Sequence, residues 1–116
     1  MSNLVVSEFI TLEGVMEDPG GAEAFEHAGW SMPYWNDATG KLKFDELLAS
    51  DALLLGRVTY QAFAAAWPAM TDAQGFADRM NSLPKHVVSA IFKDLAWNNS
   101  RLIVGDIGNE VAKLKQ

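Results

Sequence analysis

Four residues near the middle of the chain, Gly56-Arg57-Val58-Thr59, combine side chains and a position that suit phosphate binding. Three leucines precede them, an apolar run typical of a buried strand, and apolar residues at helical spacing follow until Pro68. The first N–H groups of a helix lack partners within it, and the helix dipole favours negative charge there. Glycine lets the main chain approach a ligand, arginine offers a fork of donors, and threonine adds a hydroxyl. The stretch predicts a phosphate site, with an ordinary strand-to-helix turn and a solvated Arg57 as the alternative.

A second candidate is the segment 15–39, which has no regular hydrophobic period and is interrupted by glycines and prolines. A long irregular segment in a small domain is often functional, and aromatic side chains in it can wall a pocket for a flat ligand. The alternative is a loop that holds its own small cluster against the core. The large side chains concerned are Phe25, Trp30, Met32, Tyr34 and Trp35.

Composition limits the class of protein. The chain has 116 residues, of which 49% are hydrophobic and 21% charged, enough to bury the core of one domain. The absence of cysteine excludes disulfides and thiolate metal sites and favours a reducing compartment. The net charge is −6 and no basic stripe alternates with aromatics, so nucleic acid is not expected as a partner. Without a basic-then-apolar leader or an apolar run that could span a bilayer, we expect a cytoplasmic protein with no membrane partner.

The elements that must position these residues alternate between strands and helices. Four apolar stretches predict strands: 3–12, 53–55, 86–89 and 101–104. Helices are expected over 41–50, after Gly56, after a capping box formed by Thr71 and Gln74, and after an Asp106 cap.

The alternation predicts one α/β domain over residues 1–116, with a mainly parallel sheet and helices on both sides. Strands 3–12 and 53–55 are apolar enough to be covered on both faces. Ligands of such sheets bind beyond the carboxyl ends of the strands, which places Gly56-Arg57 and Ser89-Ala90 on one rim.

In their order and spacing, four stretches resemble the dihydrofolate reductase-like superfamily, and within it the branch related to the reductase domain of bacterial riboflavin biosynthesis. Ile10-Thr11-Leu12-Glu13-Gly14 resembles the first-strand motif, commonly Ser-Leu-Asp-Gly, with Glu13 in place of the aspartate. Leu55-Gly56-Arg57-Val58-Thr59-Tyr60 resembles the cofactor-phosphate turn and helix. Leu83-Pro84-Lys85-His86-Val87-Val88-Ser89 resembles the turn and strand leading to the adenosine end, and 102–115 resembles the strand and helix that follow.

The resemblance implies a reductase that passes hydride from NADPH to a small heterocyclic or carbonyl substrate. Tyr34 and Trp35 are then the expected substrate contacts. Asp37 and Asp45 are weak candidates for a proton donor, with solvated surface carboxylates as the alternative. No metal is expected, because the two histidines, His27 and His86, are far apart in the sequence and do not have the short spacing typical of metal ligands. The cofactor contacts implied are Leu12 and Gly14 near the nicotinamide, Gly56, Arg57, Val58 and Thr59 at the phosphates, and Ser89 near the adenosine.

The family carries a glycine-rich motif after one further strand, and that motif lies beyond Gln116. We therefore expect a domain that is incomplete at its carboxyl end, and a non-catalytic nucleotide-binding or oligomerising module is the alternative function. Val111 and Leu114 share a helical face that needs a cover. A homodimer is the predicted cover, and the carboxyl-terminal segment of a longer product is the alternative.

Overall fold

The computed structural model describes residues 2–116, which form an α/β arrangement with a parallel sheet flanked by helices. This confirms the predicted class of fold. The chain divides into a sheet unit, Lys43–Gln116 together with Ser2, and a loop unit, Asn3–Leu42. The strands are β1 (Leu53–Gly56), β2 (Lys85–Val88) and β3 (Ser100–Ile103), and the helices are α1 (Asp37–Leu48), α2 (Arg57–Ala66), α3 (Phe76–Ser82) and α4 (Ile107–Leu114). Short 3-10 turns span Met32–Tyr34 and Trp67–Ala69.

The described sheet has the strand order β1-β2-β3, and both pairings are parallel. Leu55 pairs with Val87, which pairs with Leu102, so these three side chains share one face. That face carries the core of the sheet unit, in which Val87 is fully buried. The buried cluster consists of Leu47, Tyr60, Met80, Leu83, Val87 and Trp97.

The transition from β1 into α2 follows the sequence pattern closely. Tyr60, on the first turns of α2, is 1% exposed, and Phe63 and Trp67 pack against the same core one and two turns later. Pro68 lies in the 3-10 turn that follows, because proline cannot continue the hydrogen-bonded helix. Burial of each large apolar side chain stabilises the fold by about 1.5–3 kcal/mol.

Residues 3–12 do not form the strand that their apolar run predicts. They carry no regular secondary structure, and Leu4, Val5 and Val6 are all exposed. A strand requires a neighbour to satisfy its main-chain groups, and the described sheet consists of β1, β2 and β3 alone. The apolar composition predicts only compatibility with a strand, so the four-strand expectation is wrong for the described residues.

The central leucines are also less covered than expected. Leu53 and Leu55 are half-buried on the core face, whereas Leu54 is 37% exposed on the opposite face. Covering on both faces requires a second helical layer over Leu54, and its exposure shows that this cover is incomplete.

The capping box predicted at Thr71 and Gln74 is wrong, because α3 begins later, at Phe76. The start of α3 is held instead by Asp72, whose carboxylate accepts hydrogen bonds from the N–H groups of Phe76 and Ala77, at 3.0 and 2.8 Å. These bonds lower the pKa of Asp72, with the Ala77 bond the larger cause.

Helix α4 begins where the sequence predicts. Asp106 caps it by accepting a hydrogen bond from the N–H of Asn109 at 3.1 Å. Its apolar stripe is only partly covered, since Val111 is half-buried and Leu114 is 40% exposed. Within residues 2–116 no helix combines the length and apolar character that a bilayer crossing requires.

Candidate functional site

The amino end of α2 lies at the carboxyl edge of the sheet, because β1 ends at Gly56 and α2 starts at the next residue. Gly56 has φ −77° and ψ 169°, the extended conformation usual for the residue before a helix, but it contributes no side-chain cap. A Cβ atom at Gly56 would meet no other atom within 4 Å. Helix α2 therefore begins without a side-chain cap and with open space beside the Cα of Gly56, and uncapped helix amino ends commonly bind anions.

The three side chains that follow Gly56 are all at least partly exposed. Arg57 is half-buried, and its Nη1 donates to Oε1 of Gln61 at 2.9 Å, one turn further along α2. Val58 and Thr59 are exposed. A guanidinium has five N–H donors, so the bond to Gln61 orients Arg57 and leaves donors for a ligand.

Ser89 lies on the same edge of the sheet as Gly56, as the parallel arrangement predicts. Gly56 pairs with Val88, and Ser89 is the next residue. The Ser89 Oγ accepts hydrogen bonds from the N–H groups of Ile91 at 3.3 Å and Phe92 at 3.0 Å. The hydroxyl shapes the turn after β2 in this way and keeps its own proton to donate.

His86 and Arg101 are register partners on β2 and β3. Burial lowers the pKa of His86, and the positive charge of Arg101 lowers it further. The imidazole is therefore neutral at neutral pH.

A second place for a ligand is a cleft of about 530 Å³ within the loop unit. We call it the aromatic cleft. The rings of Phe9 and Trp35 lie 6.1 Å apart in it, and Tyr34 is 79% exposed. Gly14 lies just beyond the lining, in a turn with φ +95°. The lining residues are Phe9, Ile10, Thr11, Leu12, Glu13, Trp30, Ser31, Tyr34, Trp35 and Thr39.

The aromatic cleft gathers only some of the residues that the sequence singles out. Leu12, Tyr34 and Trp35 are in its lining, together with Trp30. Phe25 and Met32 are outside it; Phe25 packs edge-on against His27, with ring centroids 5.7 Å apart. Sequence reasoning missed Phe9, Ile10 and Thr39, because the first two were assigned to a strand and nothing marks the third.

Asp18 organises the loop that carries the cleft, and sequence reasoning missed it as well. It is buried, with φ +44°, and its carboxylate accepts hydrogen bonds from the N–H groups of Ala22 and Glu23 at 2.7 and 2.9 Å. Its carbonyl accepts from the N–H of Gly29 at 2.9 Å. The Asp-Pro-Gly-Gly sequence is typical of such a turn and could have indicated this role.

The two candidate proton donors are both exposed carboxylates of α1. Asp37 is the first residue of the helix, and Asp45 lies two turns further on. Neither belongs to the lining of the aromatic cleft. Across residues 2–116, no three histidine, cysteine, aspartate or glutamate side chains come together in a way that could hold a metal ion.

No family model matches the sequence, and no curated protein matches it. Two local arrangements are the candidates for a ligand site. One is the uncapped start of α2 beside Gly56, and the other is the aromatic cleft.

Proposed function

We propose that the chain is an NADPH-dependent reductase, similar to dihydrofolate reductases and to the reductases of riboflavin biosynthesis, acting on a small heterocyclic or carbonyl substrate. The observation that carries the proposal is the uncapped amino end of α2, open in front of Gly56 and flanked by Arg57. Main-chain amides and a helix dipole suit the pyrophosphate, and a guanidinium fork suits the additional 2′-phosphate.

Three features of the carboxyl edge of the sheet support binding of a dinucleotide. The first N–H groups of α2 have no side-chain cap, Gly56 adds no side chain in front of them, and Ser89 comes directly after the neighbouring strand β2. When bound, NADPH supplies the hydride and so carries the redox chemistry. The task of the chain is to bind and orient. We assign phosphate binding to Gly56, Arg57, Val58 and Thr59, the adenosine end to Ser89, the nicotinamide end to Leu12 and Gly14, and substrate contacts to Tyr34 and Trp35.

Calorimetry with NADPH and NADH on wild type and Arg57→Ala tests the proposal. Removal of a charged phosphate contact costs about 1.5–3 kcal/mol, so the variant should bind NADPH roughly tenfold to a hundredfold more weakly. NADH binding should change little. Arg101→Ala is the matched control, because Arg101 is an exposed arginine in the middle of β3. Equal losses for both cofactors would contradict the 2′-phosphate assignment, and no binding of either by wild type would contradict the function.

The proton donor is tested separately by Asp37→Asn and Asp45→Asn. Loss of turnover with unchanged NADPH affinity in one variant identifies that carboxylate as the donor. Unchanged turnover in both shows that the proton comes from solvent or from another group.

A second candidate function is a non-catalytic module that self-associates, and the exposed leucines of the sheet unit favour it. Leu54 on β1 and Leu114 on α4 are 37% and 40% exposed, and such apolar surface is normally covered. We expect a symmetric homodimer. Light scattering over the micromolar range tests it, with Leu114→Glu expected to shift the chain towards monomer. A wild-type chain that stays monomeric at every concentration would contradict the dimer. Oxidation of NADPH by the wild-type chain with any substrate would contradict a non-catalytic function.

A further inference from the structure

The walls of the aromatic cleft are mainly rings and aliphatic side chains that face solvent. Tyr34, Trp35 and Leu12 are all exposed, and Phe9 packs at an interplanar angle of 50° to Trp35. Exposed apolar side chains that gather around a concave surface mark a binding site more often than scattered ones do. The faces of aromatic rings carry partial negative charge, which attracts cations.

The polar side chains of the lining are mostly engaged within the loop unit. Four of them have hydrogen-bond partners there, so their positions are fixed and their capacity for a ligand is reduced. The bonds are Trp30 Nε1 to Glu17 O at 2.9 Å, Ser31 Oγ to Pro19 O at 2.7 Å, Val15 N to Thr11 Oγ1 at 2.9 Å, and Thr39 Oγ1 to Asn36 Oδ1 at 3.3 Å. What the cleft offers a ligand is chiefly ring faces and aliphatic surface.

One charge remains in the lining, and it is negative. Glu13 is the only carboxylate in the lining, which contains no lysine, arginine or histidine, and it is exposed beside Leu12. An anionic ligand would meet this carboxylate with no cationic lining residue to offset it. A ligand with an apolar shell and a positive charge matches both the rings and the carboxylate.

We propose that the aromatic cleft binds a small organic cation, with its apolar shell against Trp35 and Tyr34 and its charge towards Glu13. The inference rests on the proposed function only in naming this cation the substrate. A cationic acceptor is also chemically suited to that role. If NADPH gave its hydride to an iminium carbon, a C–H bond would form and the π pair of the C=N bond would pass to the nitrogen, leaving a neutral amine and NADP⁺.

The test is a titration, without NADPH, of the wild-type chain with choline and with its uncharged isostere 3,3-dimethylbutan-1-ol, followed by the NMR signals of the indole N–H groups. The two probes have the same shape and differ in charge. We expect choline to bind about tenfold more tightly and to perturb Trp35 in particular. Comparable affinity for the two probes, or no saturable binding of choline, would overturn the proposal.

Two glutamate variants distinguish a direct contact between Glu13 and the cation from the general effect of the negative charge of the chain. Glu13→Gln should weaken choline binding severalfold and leave the neutral isostere unaffected. Glu8→Gln is the matched control, because Glu8 is an exposed carboxylate outside the lining. Equal effects of the two substitutions would overturn the role of Glu13. Trp35→Leu should weaken choline more than the isostere. Because NADPH is absent from the titration, its outcome is independent of the Arg57 experiment.

Discussion

The Nζ atom of Lys85 lies 4.2 Å from the centroid of the Trp97 ring, and the whole lysine side chain is buried at the start of the central strand. The ammonium donates to the carbonyl oxygens of Asn81, at 2.5 Å, and Asn98, at 3.0 Å. Two carbonyls and a ring face therefore surround a cation that joins α3 to the loop before β3. Burial lowers the pKa of Lys85 from the ordinary 10.5 to about 8.

The shifted pKa predicts that the chain becomes more stable as the pH rises from about 8 to 10.5. In that window the unfolded chain holds a proton on Lys85 that the folded chain has lost, so the free energy of unfolding increases with pH. The gain should be on the order of 3 kcal/mol and should be absent below the window, where both states are protonated. Urea unfolding at a series of pH values measures it.

Two lysine variants complete that measurement. Lys85→Met should remove the rise in stability, whereas Lys93→Met, which changes an exposed lysine, should retain it. If the free energy of unfolding of the wild type stays flat or falls between pH 8 and 10.5, the two carbonyls and the Trp97 ring stabilise the ammonium of Lys85 more than burial destabilises it.

The hydroxyl of Tyr60 predicts a loss of stability on substitution by phenylalanine. This hydroxyl donates a hydrogen bond to Oγ of Ser100 at 2.9 Å and accepts one from the buried main-chain N–H of Trp97 at 3.1 Å. Tyr60→Phe leaves that N–H without its partner and should lower the free energy of unfolding by about 1–3 kcal/mol. Tyr34→Phe is the control, since its exposed hydroxyl should change stability by less than about 0.5 kcal/mol. Equal effects would contradict a buried network around Tyr60.

Gly56→Asp should separate stability from nucleotide binding. The extended conformation of Gly56 is accessible to aspartate, and the added carboxylate can cap the amides of α2 and interact favourably with its dipole. We expect stability to rise by roughly 0.5 kcal/mol. The affinity for NADPH should fall by more than tenfold, because the carboxylate occupies and repels the phosphate position. Calorimetry and urea unfolding on the same sample measure both, and unchanged NADPH affinity would contradict the phosphate site at Gly56.

Asp72 predicts acid sensitivity at the start of α3. Its pKa is lowered below 3.8 by the N–H groups of Ala77 and Phe76, so its contribution to stability is present above 3.8 and is lost as the pH falls through the lowered value. Asp72→Asn keeps an oxygen acceptor but cannot ionise, so its stability should depend less on pH in this acidic range. Asp78→Asn changes an exposed aspartate of α3 itself and is the comparison. If the free energy of unfolding of Asp72→Asn falls with acid as steeply as that of the wild type, Asp72 does not stabilise the start of α3.

The sequence by itself determines the elements whose signals are local. The helical spacing from Tyr60 to Trp67 and the stop at Pro68 define α2, and Asp106 defines the start of α4. The alternation of strands and helices also determines the parallel pairing that puts Gly56 and Ser89 on one edge. Each of these depends on hydrogen bonds or periodicity within a few residues, or on a general rule for connecting such elements.

Only the tertiary structure decides which side chains lose contact with water. Lys85 precedes the predicted third strand and is nevertheless buried, because Asn81, Trp97 and Asn98 converge on it from other parts of the chain. The apolar segment 3–12 forms no strand for the converse reason, since strand formation depends on a neighbouring strand and not on composition alone. The aromatic cleft likewise joins Phe9 to residues more than twenty positions away, a proximity that no local pattern encodes.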